Sequence, residues 1–171
     1  MASPAPISFG NATWTDLSPD VDFSSTLCAL IDDITSNWTI ANSATTGTSA
    51  TPNSAKGTPK GSVNAYLQFP ASVAVNTKYA YKTLGAALDL SAWQRLTFWF
   101  RKNGTTGTSF GTGIRLCLCS DTLGNTIVNE VVIPFPDNYD TWYPLVLDAG
   151  AALGASIQSI AIYSGATAPT G

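Results

Sequence analysis

The sequence predicts an all-β protein: a β-sandwich of jelly-roll type, led by a short N-terminal helix or extended arm. Three observations carry this. Runs of seven to eleven residues rich in β-branched, aromatic and alternating apolar side chains recur through the chain, separated by Gly, Asn, Asp and Pro. Charged residues make up 11% of the 171-residue chain, against roughly 25% in an ordinary globular domain, so the polar surface must come from Ser, Thr, Asn, Gln and Gly. Apolar residues make up 44%, enough for one real core at this length.

The elements follow in order. Residues 1–22 are rich in Pro, Ser and Asp and read as an extended arm. In "DFSSTLCALIDDI", Phe23, Leu27, Leu30, Ile31 and Ile34 recur at helical spacing behind Asp22 as a possible N-cap, which predicts a short helix; a strand around Leu27 to Ile31 is the alternative. Residues 1–35 are therefore expected to form an arm-and-helix docking segment, and 36–171 the sandwich. "NWTIANSA" (37–44) reads as the first strand. Residues 43–62, nearly free of large apolar groups, read as a loop.

Seven further strands are expected. "NAYLQFP" (64–70) and "KYAYKTL" (78–84) alternate. "RLTFWFRK" (95–102), dense in apolar residues, is expected to be a central strand buried on both sides, with Trp99 in the core. "GIRLCLCSD" (113–121), "NTIVNEVVIPF" (125–135), "WYPLVLD" (142–148) and "SIQSIAIYS" (156–164) complete the set.

Composition excludes several functions. With eight Lys and Arg and a net charge of −3, no basic stripe exists for nucleic acid. No apolar run approaches the roughly 20 residues of a membrane span. The absence of histidine removes Ser-His-Asp and Cys-His nucleophile systems and most catalytic zinc sites. Glu130 is the single glutamate, and the spacing of the aspartates suggests no catalytic pair. "GTSFGTG" lacks the Lys and the helix of a phosphate loop. A non-enzymatic protein without cofactor is expected.

Cys117 and Cys119 lie one residue apart in "IRLCLCSDTLG". On a strand their side chains share a face about 6.6–6.8 Å apart, which strains a local disulfide. A metal would need further ligands, and only Cys28 remains as a thiol. Both are expected to be reduced, unligated and space-filling on the face opposite Ile114, Leu116 and Leu118.

The stretch "YKTLGAALDLSAWQRLTFWFR" resembles the galactose-binding-like jelly rolls of carbohydrate-binding modules and tailed-bacteriophage surface appendages. "IRLCLCSDTLGNTIVNEVVIP" and "TWYPLVLDAGAALGASIQSIAIY" look more like the phage version. The resemblance covers roughly residues 60–164 and leaves the first 35 outside it. It implies a structural protein of a virion surface, a tail fibre or capsid decoration, aiding adhesion to host glycans; the alternative is a carbohydrate-binding module for a cell-surface polysaccharide. "MASPAPISFG" has neither the basic nor the apolar region of a secretory signal, which fits a particle released by lysis.

Partners implied are other virion proteins, copies of the chain itself and a host glycan, with no nucleic acid and no membrane insertion. Family members usually carry one more strand after "SIAIY", with a structural-calcium carboxylate. After "SIAIY" the sequence reads "SGATAPTG". Against the resemblance, the closing strand is expected to be absent, supplied by another part of the chain or supplied by a neighbour. No metal is expected, and an open sheet edge would favour a homo-oligomer. Carbohydrate-contact candidates are Trp93 in the "DLSAWQ" turn, Tyr139 in "PDNYDTW" and Trp142 at a strand start. Assembly candidates in the arm are Trp14, Leu17, Val21 and Phe23.

Overall fold

A computed structural model describes residues 29–32, 36–42, 50–52, 65–67, 74–101, 113–134 and 141–165. The chain divides into two units, Met1–Leu30 and Ile31–Gly171. Only Ala29 and Leu30 of the first are described, so most of the expected helix, and the arm with Trp14, Leu17, Val21 and Phe23, lie outside the described residues. No residue among those described is helical.

The second unit is all-β. Its strands are β1 (Thr39–Ile40), β2 (Ala50–Pro52), β3 (Ala65–Leu67), β4 (Lys78–Leu88), β5 (Arg95–Arg101), β6 (Ile114–Cys119), β7 (Ile127–Ile133), β8 (Trp142–Asp148) and β9 (Ile157–Ser164). Five form one antiparallel sheet in the order β1-β4-β9-β6-β7; β5 pairs with β8, and β2 with β3. From β4 onward the chain alternates between the five-stranded sheet and the β5–β8 sheet, crossing the sandwich four times. β9, last in sequence, pairs with both β4 and β6 at the centre of the large sheet.

The core lies between these two sheets. Leu118, Val131, Ile157 and Ile160 of the large sheet meet Leu96 of β5, closed by Leu90 and Leu153 from the connections. Leu147 of β8 packs against the same group. Alternation places most of these side chains inward. In β9, Ile157 and Ile160 are three residues apart, and the register irregularity between Thr83 and Leu88 lies where Ile157 joins the core side.

Two expectations need correction. β2 falls inside the stretch 43–62 read as a loop; Ala-Thr-Pro carries no periodic signal, and its strand state rests on backbone pairing with β3. β5 is not a central strand buried on both sides. Among the described residues it pairs with β8 alone, and its outward Arg95, Thr97 and Trp99 are exposed. The density of Phe98, Trp99 and Phe100 hides a period of two: Leu96, Phe98 and Phe100 on one side, Arg95, Thr97, Trp99 and Arg101 on the other.

Candidate functional site

The outer side of the β5–β8 sheet is the most distinctive exposed surface. Arg95 pairs with Asp148, Thr97 with Val146, Trp99 with Pro144 and Arg101 with Trp142, and directly opposed residues share a face. Trp99 is 45% exposed and Val146 61%. Thr97 and Pro144 are also exposed, while Trp142 and Arg101 are half-buried. Trp99 and Trp142 are diagonal neighbours on this face, at a separation that aromatic side chains span. The opposite residues, Leu96 and Leu147, enter the core. The result is a largely apolar strip with the half-exposed indole of Trp99 at its middle.

One end of the strip is polar and fixed. The Asp148 carboxylate accepts hydrogen bonds from the Gln94 amide (2.8 Å), the Gly150 backbone N–H (2.8 Å) and Arg95 Nε (3.3 Å). The Gly150 N–H, then the Gln94 amide, hold its carboxyl below the ordinary 3.8. The Arg95–Asp148 pair is well exposed, so it orients these groups more than it stabilises the fold.

Of the sequence-predicted contact residues, the structure places Trp142 on this face. Trp93 sits elsewhere: half-buried, it packs against the core, its N–H donating to Leu90 O (2.9 Å) and its carbonyl accepting from the Leu153 N–H (2.8 Å). It acts as a lid on one end of the sandwich. Tyr139 lies outside the described residues. Trp99 is the residue that the sequence reading assigned to the core instead of the surface. The signal was present, because its neighbours at two-residue spacing are Arg95, Thr97 and Arg101.

The outer side of the five-stranded sheet holds the cysteines. Cys117, Cys119 and Ala161 are fully buried there, flanked by Tyr81 and Tyr163. Both thiols are free. The β6–β7 connection, Ser120–Thr126, folds back over them as a plug. Its carbonyls accept from Gln158 (at Ser120 O, 2.6 Å), Ser159 (Asp121 O, 2.5 Å), Thr83 (Thr122 O, 2.6 Å), Lys78 (Leu123 O, 2.6 Å) and Tyr163 (Gly124 O, 2.7 Å). The Asp121 carboxylate gathers the backbone N–H groups of Leu123, Asn125 and Thr126 from within. A register shift between Lys78 and Ala80 lets Lys78 join Tyr81 beside Gly124.

This plug fixes the chemistry of the thiols. Burial, ahead of neighbouring charges, pushes Cys117 up to about 12 and Cys119 up to about 11. Both stay protonated at neutral pH and so are poor nucleophiles and poor ligands. Among the described residues no group of three or more His, Cys, Asp or Glu side chains gathers in metal-binding geometry. Among the described residues there is no helix long and apolar enough to cross a membrane.

Compared with protein-family models, curated proteins and solved structures, the chain matches none.

Proposed function

We propose that the protein is a non-enzymatic structural component of a bacteriophage virion surface, a tail fibre or capsid decoration, that also aids adhesion to host glycans. The supporting observation is the exposed strip of β5–β8, where Trp99 and Val146 face solvent from paired strands. A low-charge, hydroxyl-rich surface suits close packing against neighbours, since paired hydroxyls cost far less to bury than charges. In this reading the segment 1–35, with Trp14, Leu17, Val21 and Phe23, docks on adjacent virion proteins or on other copies of the chain. The sequence resemblance to phage appendage domains supports the same assignment. Antibody raised against the purified protein should decorate intact particles in electron micrographs. Label confined to disrupted cells, with clean particles, would overturn the virion assignment.

The second reading is a stand-alone carbohydrate-binding module, favoured by the exposure of Trp99 on a flat strand face. The two separate on one measurement: if the arm docks, the full chain should be found on particles and a chain lacking residues 2–22 should not, whereas a stand-alone module should be absent from particles in either form.

A further inference from the structure

We propose that the outer face of β5 and β8 is a binding site for a neutral polysaccharide chain lying along the strands, with a sugar ring stacked on Trp99 and its hydroxyl groups hydrogen-bonded at the Gln94–Asp148 end. The proposal rests on the adhesion part of the proposed function and names its site and ligand class.

Dimensions come first. β8 has seven residues; at about 3.4 Å per residue the strip is roughly 20 Å long, and two strands about 4.8 Å apart make it about 10 Å wide. Its footprint is therefore on the order of 200 Å². A stable protein interface needs about 800 Å² from each partner, so a second copy seated on this face alone falls well short. A single extended polymer chain fits a long, narrow strip.

Chemistry comes second. A pyranose presents an apolar C–H face and a rim of hydroxyls. The strip offers the complement: an indole plane at Trp99, aliphatic surface at Val146 and Pro144, then fixed planar acceptors and donors at Asp148 and Gln94. The Gly150 N–H and Arg95 pre-orient the carboxylate before any ligand arrives, which lowers the ordering cost of binding. Charge comes third. Arg95 and Asp148 offset each other across the strand pair, and Arg101 is drawn back, half-buried. The exposed middle of the strip is uncharged, which favours a neutral glycan over an anionic one.

The test is isothermal titration of the full chain with cellohexaose, maltohexaose and mannohexaose, and with the anionic hexagalacturonate, at low and high salt. Binding to at least one neutral hexaose, unchanged by salt, is expected. Trp99→Ala should weaken it roughly tenfold or more, and Asp148→Asn by about threefold to tenfold, with both variants still melting cooperatively because neither side chain belongs to the core. Val132→Ala, on the other sheet, should have no effect. Tight binding that Trp99→Ala leaves intact would overturn this site while leaving the adhesion reading standing. Preference for hexagalacturonate with strong salt dependence would overturn the neutral class. A wild-type dimer that Trp99→Ala converts to monomer would assign the face to a second copy. No binding to any of the four would overturn the site and the adhesion reading together.

Discussion

Four glycines separate backbone strain from crowding. Gly124 has φ +69°, and a Cβ placed there would lie 3.0 Å from both Ala161 Cβ and Tyr81 Cβ. Gly150 has φ +77° with nothing within 4 Å; Gly154 has no positive φ, but its added Cβ would lie 2.7 Å from Val128 Cγ1 and 2.8 Å from Ile157 Cδ1. Gly85 has neither constraint. An alanine at Gly150 costs about 1–2 kcal/mol for the left-handed backbone, offset by about 0.4–1 kcal/mol from the stiffer unfolded chain. At the middle of both ranges the net loss is about 0.8 kcal/mol. At Gly154 exposed Val128 has room to turn away but Ile157 is fully buried, so overpacking costs about 1–3 kcal/mol without a backbone penalty. At Gly124 the neighbours are Cβ atoms, which move only with the backbones of β9 and β4. Overpacking there adds about 1–3 kcal/mol, for a total of about 2–4 kcal/mol. At roughly 2–4 °C per kcal/mol for a domain of this size, Gly124→Ala should lower Tm by about 5–15 °C. Gly85→Ala should be neutral or slightly stabilising. Urea denaturation of the four variants, with common m values, gives the comparison. If Gly124→Ala proves no worse than Gly150→Ala, the loop does not press on the sheet as described, and the plug over the cysteines is wrong.

Further outcomes follow from the same geometry. Leu118→Ala removes a fully buried side chain at the centre of the core and should cost about 2–5 kcal/mol, whereas Val146→Ala, exposed, should stay within about 0.5 kcal/mol by the same denaturation assay. Cys117 and Cys119 should resist a thiol reagent at pH 8 in the folded protein and react once urea unfolds it; rapid labelling of the native state would show the plug to be open. Because their folded pKa values lie above the ordinary 9.0, the native state holds these protons more tightly than the unfolded chain does. Their contribution is therefore complete below pH 9 and declines as pH rises towards 11–12, which alkaline denaturation curves of wild type and Cys117→Ala should resolve. Asp121 has the opposite sign: burial pulls its carboxyl up, but the N–H groups of Thr126, Leu123 and Asn125 together outweigh it and leave it below 3.8. The loop's hydrogen bonds are thus present above the ordinary carboxylate range and lost as pH falls through the lowered value. Hydrogen exchange at Asn125 and Thr126 should accelerate on acidification relative to the core of β9.

Much of the strand order was legible because each strand writes its own pattern. "WYPLVLD" spans β8 residue for residue, and "GIRLCLCSD" and "SIQSIAIYS" enclose β6 and β9 within a residue or two at each end. Side-chain alternation and turn residues are local properties, so a single sequence carries them. β2 was illegible for the same reason: Ala-Thr-Pro has no alternation, and its pairing with β3 is a contact between backbones. The site was half legible. Trp142, a contact candidate, lies on the β5–β8 face, whereas Trp93 closes the core, and the three aromatic residues in a row at Phe98–Phe100 mask the polar positions that share a face with Trp99.

The amino-acid sequence by itself determined which residues share a face. Cys117 and Cys119 stand opposite Leu116 and Leu118, and Trp99 stands with Arg95 and Thr97, because a strand repeats every two residues wherever it lies. Only the tertiary structure decided which of those faces meets water. The cysteine face is sealed by a loop whose bonds reach side chains up to 45 residues away, and the Trp99 face is left open because β5 and β8 use their other side to close the core. Burial depends on what is packed against a face, and that partner is chosen by contacts far along the chain.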